Sequence, residues 1–326
     1  MQALRDWVVA QGGYVGDIAV RGAGGESARG IFATGPISAG CEILRVPRAA
    51  WVRPEHEGIS ALSAGPATAP IRLGARLLAR RAGGDPYVRS LPQKVVGHPM
   101  ALGAGDREAL CGTTLAVLLD QLEAKYLEEW RWLQTVPGLE GVSLGTWRAT
   151  RAVVTSRQFD VGEETVLVPI ADMLNHALEP SVDWGVEGDT FVMRVNRDVP
   201  ADAELHDCYG TKSNTRLFLH YGFTLADNPW EESVLDLGSV GTVILHRSTR
   251  TDGAQALLGS IAAMAGGEAR ERAWGRLVTA LRAKLAGMPG SAPEGHPAKG
   301  DVDRVVGGEG GGLGYWLAHA DLVPRG

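Results

Sequence analysis

Residues 166–180 read VLVPIADMLNHALEP, and residues 208–223 read CYGTKSNTRLFLHYGF. The first stretch runs from a short apolar, strand-like segment into Asn175-His176 and a proline-containing turn. Such a turn can present an amide, an imidazole and backbone groups to a ligand. From residue types alone, a capped turn with an internally bonded histidine is the simpler reading. The second stretch holds two Tyr-Gly pairs, Tyr209-Gly210 and Tyr221-Gly222. Tyrosine brings a hydroxyl dipole on a rigid apolar body, and a neighbouring glycine lets a backbone or ligand approach closely. Strand-end aromatics in a core explain the pairs equally simply.

Working outward, residues 30–47 read as two short strands about a turn, Ile31 to Ala33 and Glu42 to Val46, with Gly35-Pro36 and Ala39-Gly40 as turn signals. Thr165 to Pro169 and Thr190 to Val195 are further strand candidates, and Asn214 to Tyr221 suits one or two helical turns. Between them residues 66–150 change character. Ile71 to Arg81 has helical spacing, with Arg72, Arg76 and Arg80 four apart on one face and Gly83-Gly84-Asp85-Pro86 as its stop. Thr113 to Gln134 carries a continuous apolar stripe of Leu115, Leu119, Leu122, Tyr126, Trp130 and Leu133. Residues 254–287 return to helical spacing through Leu257, Leu258, Ile261, Met264, Trp274, Leu277 and Leu281. The segment beyond Pro289, with GGEGGG, reads as a mobile Gly/Pro-rich tail, and its last five residues, LVPRG, have the form of a protease-cleavage remnant. The order is β, helical insertion, β, helical C-terminal part: an α+β pattern without regular βαβ alternation.

Composition bounds the chemistry. The chain has 326 residues, 44% of them hydrophobic, and a formal net charge of −6. That suits a soluble globular protein and argues against one that wraps nucleic acid. Cys41, Cys111 and Cys208 lie far apart, so neither a disulfide framework nor a structural zinc site is expected, and a reducing compartment fits. No apolar run reaches the ~18–20 residues of a membrane helix, and MQALRDWVVAQGG does not resemble a signal peptide. The eight His are scattered, there is no His-Glu-x-x-His, and no metal is expected. There is no G-x-S-x-G elbow. Ser27-Ala28-Arg29-Gly30 precedes a strand and could cradle a small ligand through backbone N–H groups. It has neither G-x-G-x-x-G nor a P-loop lysine, so nucleotide phosphate is not its target. Residues 155–210 hold twelve acids and three bases, which suits a basic peptide or merely a solvated acidic face. Residues 66–100 hold six bases and one acid, which suits an acidic partner or a solvated helix face.

Five stretches in order carry a family resemblance: Trp7 with Gly12-Gly13; SARGIFATGPISAGCEILRVP at 27–47; DPYVRSLP at 85–92; VTSRQF at 154–159 running into VLVPIADMLNHALEP; and CYGTKSNTRLFLHYGF. Together they resemble the SET-domain protein methyltransferases, in the class of the plant Rubisco large-subunit lysine methyltransferase. The resemblance implies a SET-domain β-fold of several small sheets, interrupted by a helical insertion and followed by a short helical C-terminal lobe. It implies a SET N-terminal part at 1–58, the insertion at 59–150, the catalytic SET part at 151–230, a truncated lobe at 231–290 and the tail at 291–326.

The implied activity is S-adenosyl-L-methionine-dependent methylation of a lysine presented by a non-histone protein substrate. The alternatives are protein-histidine methylation and a catalytically weak SET-like peptide-binding module. By the same resemblance Ser27, Ala28, Arg29 and Gly30 form the cofactor loop. Arg157 holds the cofactor or the adjacent substrate channel, and Asp172, Asn175 and His176 belong to the cofactor site. Tyr209 is the catalytic tyrosine. Tyr221, Gly222 and Phe223 complete the lysine channel and adenine pocket. Phe159 lines the channel, and its apolar ring favours lysine over histidine. The implied protein is a cytoplasmic monomer without nucleic-acid or membrane partners, or a plastid protein if a transit peptide has been removed. The chain departs from the family pattern at Ala28, where glycine is usual, at Ile31, Ala177 and Ser181, and in the roughly 95 residues that follow position 230.

Overall fold

The turns at Gly35-Pro36 and Ala39-Gly40 do not close a hairpin; they pass the chain from one sheet to another. Strand β3 (Arg29–Ala33) pairs with β2 (Ile18–Gly22), whereas β4 (Glu42–Pro47) pairs with β1 (Tyr14–Val15). Each strand buries its own apolar set, Ile31 and Ala33 on β3 and Ile43, Leu44 and Val46 on β4, so each demands a separate partner. Gly40, at φ +81°, makes the left-handed step that ends the connection.

A computed structural model describes residues 1–22, 29–54, 68–81, 83–103, 107–108, 110–237, 242–246, 263, 270–288 and 299–318. It divides into two compact units, Met1–Val96 with Ala124–Thr211, and Gly97–Glu123 with Lys212–Gly326.

The first unit opens with helix α1 (Gln2–Ala10), which buries Leu4 and Val8. Its strands are completed by β5 (Phe159–Val161), β6 (Glu164–Val166), β7 (Asn175–His176), β8 (Val182–Glu187), β9 (Thr190–Val195) and β10 (Glu204–Asp207). One four-stranded sheet has the order β1-β4-β9-β8 and another β2-β3-β10-β7, with β5–β6 a separate hairpin. The β10–β7 pair is parallel and sets Asp207 beside His176. Helices α2 (Ala69–Arg81) and α3 (Pro86–Ser90) belong to this unit. Asp85 caps α3 by accepting from the N–H groups of Tyr87 and Val88, and Pro86 stands in its first turn. Helix α4 (Thr114–Leu133) ends here, and α5 (Leu144–Thr155) follows, capped by Ser143. The core joins both sheets and the helices, with Trp51, Tyr87, Phe191, Leu73 and Leu77 all fully buried. Arg76, in the middle of the arginine row of α2, is only 6% exposed. Arg151 and Glu129 form a buried bidentate pair, 2.7 and 3.3 Å.

The second unit contains the start of α4, helix α6 (Asn214–Tyr221), the hairpin β11 (Glu232–Asp236) and β12 (Thr242–His246), and helices α7 (Arg270–Gly287) and α8 (Lys299–Ala318). Leu110, Leu115 and Leu119 pack with Phe218, Leu219, Val305 and Val306. Residues 97–123 of the expected 59–150 insertion belong to this unit. Leu277 and Leu281 of α7 are buried as their spacing predicts, while Leu257, Leu258, Ile261 and Met264 lie outside the described residues. The expected mobile tail is corrected: Lys299–Ala318 is a helix. Glycine propensity is overridden there by tertiary partners, since Val305 and Val306 are buried and the fully buried Glu309 pairs with Lys284 at 2.6 Å.

Candidate active site

The parallel pairing of β7 with β10 decides the site. It lays Asn175 beside His206 and His176 beside Asp207, so the chain leaving β10 returns past the Asn-His turn. The Tyr209 N–H donates to His176 Nδ1 at 3.1 Å, and the two rings stack at 5.2 Å. The Tyr209 hydroxyl donates to the Leu174 carbonyl at 2.5 Å. The catalytic candidate and the Asn-His turn, 34 positions apart from Asn175 to Tyr209 in the chain, are thus locked through both backbone and side chain.

Just upstream, Ile170 sits at φ +70°, ψ −48°, a conformation costly for a β-branched residue. It starts the short 3-10 turn that buries Asp172. The Asp172 carboxylate accepts from the Tyr87 hydroxyl at 3.1 Å and lies 3.5 Å from Arg157 Nη1, which donates to the Asp172 carbonyl at 2.5 Å. Burial pushes the Asp172 carboxyl above the usual carboxylate range, opposed by Arg157, the Tyr87 hydroxyl and Arg29. Burial and the nearby Arg157 charge lower Arg29, which donates to the Ser90 carbonyl at 2.7 Å. Arg29, Tyr87, Arg157 and Asp172 therefore form one charged cluster drawn from three distant segments. Arg29 Nη2, Arg157 Nε and Asp172 Oδ1 are buried there without hydrogen-bond partners among the described residues.

Gly30 adjoins that cluster. A Cβ at this position would stand 2.1 Å from Glu204 Oε1 and 3.1 Å from the Asn175 amide nitrogen, which itself donates to Glu204 at 2.7 Å. A side chain here would have to displace the Glu204 carboxyl from that pair.

Phe159 lies in an aromatic cluster. Its ring meets Trp184 edge-on at 5.3 Å and Phe191 at 5.1 Å, and Trp184 stacks on Phe191 at 5.1 Å.

Of the residues expected from sequence, Arg29, Gly30, Arg157, Asp172, Asn175, His176 and Tyr209 are joined by these contacts, with Phe159 in the aromatic cluster. Tyr221, Gly222 and Phe223 belong to the second unit, where Gly222 ends α6 in the left-handed conformation and the Tyr221 and Phe223 rings lie 6.1 Å apart. Ser27 and Ala28 lie outside the described residues. Sequence reasoning missed Tyr87, Trp184, Glu204 and Asp207. Tyr87 stands inside the quoted DPYVRSLP. The other three depend on strand pairings that no local pattern encodes. Among the described residues no group of three or more His, Cys, Asp or Glu is arranged to hold a metal ion.

A family model described as the SET domain matches residues 28–210, more than half of the chain. Ribosomal lysine N-methyltransferase 1 of Saccharomyces cerevisiae is 37% identical over 70 residues, covering 22% of this chain and 12% of that protein. Ribosomal lysine N-methyltransferase set11 of Schizosaccharomyces pombe is 25% identical over 154 residues, 44% of this chain and 39% of that one. The chain thus spans well under two thirds of the length of either relative. Among solved structures, Rubisco LSMT bound to AdoMet superimposes with a TM-score of 0.78 at 17% identity, covering 98% of this chain and 91% of that one. The SET domain of LSMT bound to lysine and AdoHcy gives 0.75 at 18%, covering 98% and 90%.

Proposed function

The chain belongs to the SET-domain family, and on that premise we propose that it is an S-adenosylmethionine-dependent methyltransferase of lysine side chains in a non-histone protein. The observation that carries this reading is the Tyr209 hydroxyl, bonded to Leu174 and stacked over His176 beside the Arg29–Asp172 cluster. The ribosomal lysine methyltransferases of the two yeasts support the target class and a cytoplasmic setting.

The residues present fit the cofactor. A methionine-derived ligand carries a carboxylate and an ammonium group, and the cluster holds buried guanidinium and carboxylate atoms with hydrogen-bonding capacity to spare. Gly30 lets the Glu204 carboxyl and the Asn175 amide lie directly against β3, beside that cluster. Arg29, Gly30, Arg157, Asp172, Asn175 and His176 would hold it. When bound, S-adenosylmethionine supplies an electrophilic methyl group on a sulfonium.

The protein does the rest. Tyr209 donates its proton to Leu174, which polarises its oxygen and leaves an oriented dipole suited to stabilising positive charge in transit. The incoming lysine must be neutral, against a free pKa of about 10.4. Desolvation by Phe159, Trp184 and Phe191 disfavours the ammonium form. The apolar ring of Phe159 offers an imidazole no partner, which favours lysine over histidine.

Incubation with methyl-labelled S-adenosylmethionine and a cell extract, followed by mass spectrometry of the labelled protein, is expected to place the label on lysine; label on histidine would overturn that choice. Tyr209→Phe is expected to keep cofactor binding but lose about 2 kcal/mol of transition-state stabilisation, more than tenfold in turnover. Near-wild-type turnover would remove Tyr209 from the mechanism.

A further inference from the structure

The DPYVRSLP stretch forms α3, and α3 reaches the charged cluster at two points. The fully buried Tyr87 donates through its hydroxyl to Asp172 Oδ2 at 3.1 Å. The Ser90 carbonyl accepts from Arg29 Nη1 at 2.7 Å, and the Ser90 hydroxyl donates to the Tyr87 carbonyl at 2.7 Å. Arg157 Nη1 stands 3.5 Å from the same Asp172 oxygen. Oδ2 is thus taken by Tyr87 and Arg157. Oδ1 is buried without a hydrogen-bond partner among the described residues, as are Arg29 Nη2 and Arg157 Nε. One open acceptor beside two open cationic donors suits a ligand group that is itself both cationic and anionic. The amino-acid end of S-adenosylmethionine, an ammonium and a carboxylate, is such a group.

We infer that Tyr87 is a positioning residue of the cofactor site: its hydroxyl occupies Asp172 Oδ2 and leaves Oδ1 as the acceptor for the ligand's ammonium. The inference rests on the reading of the site proposed above and adds to it a member from the helical insertion. Burial and the neighbouring Asp172 charge push the Tyr87 hydroxyl well above the usual tyrosine range, so it stays a neutral donor. An ionised carboxylate accepts at both oxygens, whereas a protonated one turns one oxygen into a donor that opposes an ammonium. Burial raises the Asp172 carboxyl, and Arg157, the Tyr87 hydroxyl and Arg29 oppose that rise. Among the described residues these are the titratable groups that face it: Tyr87 from α3, Arg29 from β3 and Arg157 from the segment after α5. Removing the hydroxyl therefore acts twice. Oδ2 loses a donor that fixes the carboxylate, and the carboxyl takes up a proton more readily. Both effects weaken the hold on an ammonium, and neither acts on a ligand that lacks an amino-acid end.

Binding calorimetry with two ligands reads this without turnover. S-Adenosylmethionine carries the amino-acid end; 5′-methylthioadenosine carries the adenosine and the sulfur without it. Tyr87→Phe, which keeps the buried ring, is expected to weaken S-adenosylmethionine roughly tenfold at neutral pH and to change methylthioadenosine by less than about twofold. Affinity for S-adenosylmethionine is expected to fall as the pH drops and Asp172 takes a proton, with the midpoint at higher pH in Tyr87→Phe than in wild type. Asp172→Asn should remove that fall, and adding Tyr87→Phe to it should cost far less than in the wild-type background, because the tyrosine acts through the carboxylate. Equal weakening of the two ligands in Tyr87→Phe, or an unmoved midpoint, would overturn the inference. If Tyr87→Phe does not fold, Asp172→Asn decides: loss confined to S-adenosylmethionine supports the inference, and equal loss of both ligands overturns it. A wild-type protein that does not bind S-adenosylmethionine would overturn the proposed function and the inference together. Wild-type binding that Tyr87→Phe leaves unchanged overturns the inference alone.

Discussion

His98 shows how much a single residue can conceal. It is 4% exposed and accepts the Met100 N–H through Nδ1 at 3.3 Å. Burial, and secondarily His220, lower its pKa to about 4 from 6.5. The unfolded chain therefore binds this proton more readily than the folded one. The contribution to stability is complete above pH 6.5 and is lost as pH falls through about 4, amounting to about 3 kcal/mol. Asp207 acts in the opposite sense, since its raised pKa makes the fold lose stability as pH climbs from about 4 to about 6. The wild-type profile alone is thus ambiguous. The difference between wild type and His98→Asn, which keeps donor and acceptor groups but does not titrate, isolates the histidine. Urea unfolding is expected to show that difference shrinking from neutral pH toward pH 4; a constant difference would mean that His98 does not titrate on unfolding. None of this was legible in the sequence, where His98 is one of eight scattered histidines. Its meaning lies in the adjoining Gly97, at φ +74°, whose added Cβ would stand 2.6 Å from the Gly222 carbonyl. By contrast Tyr209, Asn175 and His176 were legible because their chemistry and order travel together in the chain.

Among the elements, α4 and α6 follow their apolar spacing closely: Thr113 to Gln134 predicted against Thr114–Leu133, and Asn214 to Tyr221 predicted and found. Helix α8 does not follow its composition. It carries seven glycines, each costing about 1 kcal/mol relative to alanine. Propensity measures a segment in isolation, and the compensation here comes from elsewhere in the chain. Glu309 accepts from the Thr114 N–H at 2.9 Å and the Thr114 hydroxyl, and it pairs with Lys284 at 2.6 Å. Lys284 in turn bonds the Thr114 hydroxyl at 2.8 Å and the Val234 carbonyl at 2.6 Å. One glycine is also spatially required, since a Cβ on Gly308 would meet the Glu231 carboxyl at 2.6 Å. Lys284→Met leaves the Glu309 carboxylate buried without its cation and is expected to cost about 3–5 kcal/mol in denaturant unfolding. The double variant Lys284→Met/Glu309→Leu should recover most of that loss. Equal losses in the single and double variants would show that α8 is held by apolar packing rather than by the ion pair.

At the scale of the whole molecule, the ordered motifs announce the family because they are the pieces that meet: Arg29, Tyr87, Arg157 and Asp172 come from three of the five stretches and share one cluster. What stayed hidden was the partition of the helical insertion between two units, which depends on the burial of Leu110, Leu115 and Leu119 against Phe218 and Val305. A fold of this kind predicts how ligand binding should register in global stability. A cofactor that binds only the folded site stabilises it by RT ln(1 + [L]/Kd), about 2.7 kcal/mol at a hundredfold excess over Kd. That corresponds to a rise of roughly 5–10 °C in the thermal unfolding midpoint for a unit of this size. S-adenosylmethionine is expected to produce the rise in wild type and equally in Tyr209→Phe, because the tyrosine dipole acts on the transferring methyl rather than on binding. Asn175→Ala removes the amide that bonds Glu204 across Gly30 and should lose most of the rise. If Tyr209→Phe lost the shift while Asn175→Ala kept it, the two residues would have to exchange roles, with the tyrosine gripping the donor and the asparagine serving only the fold.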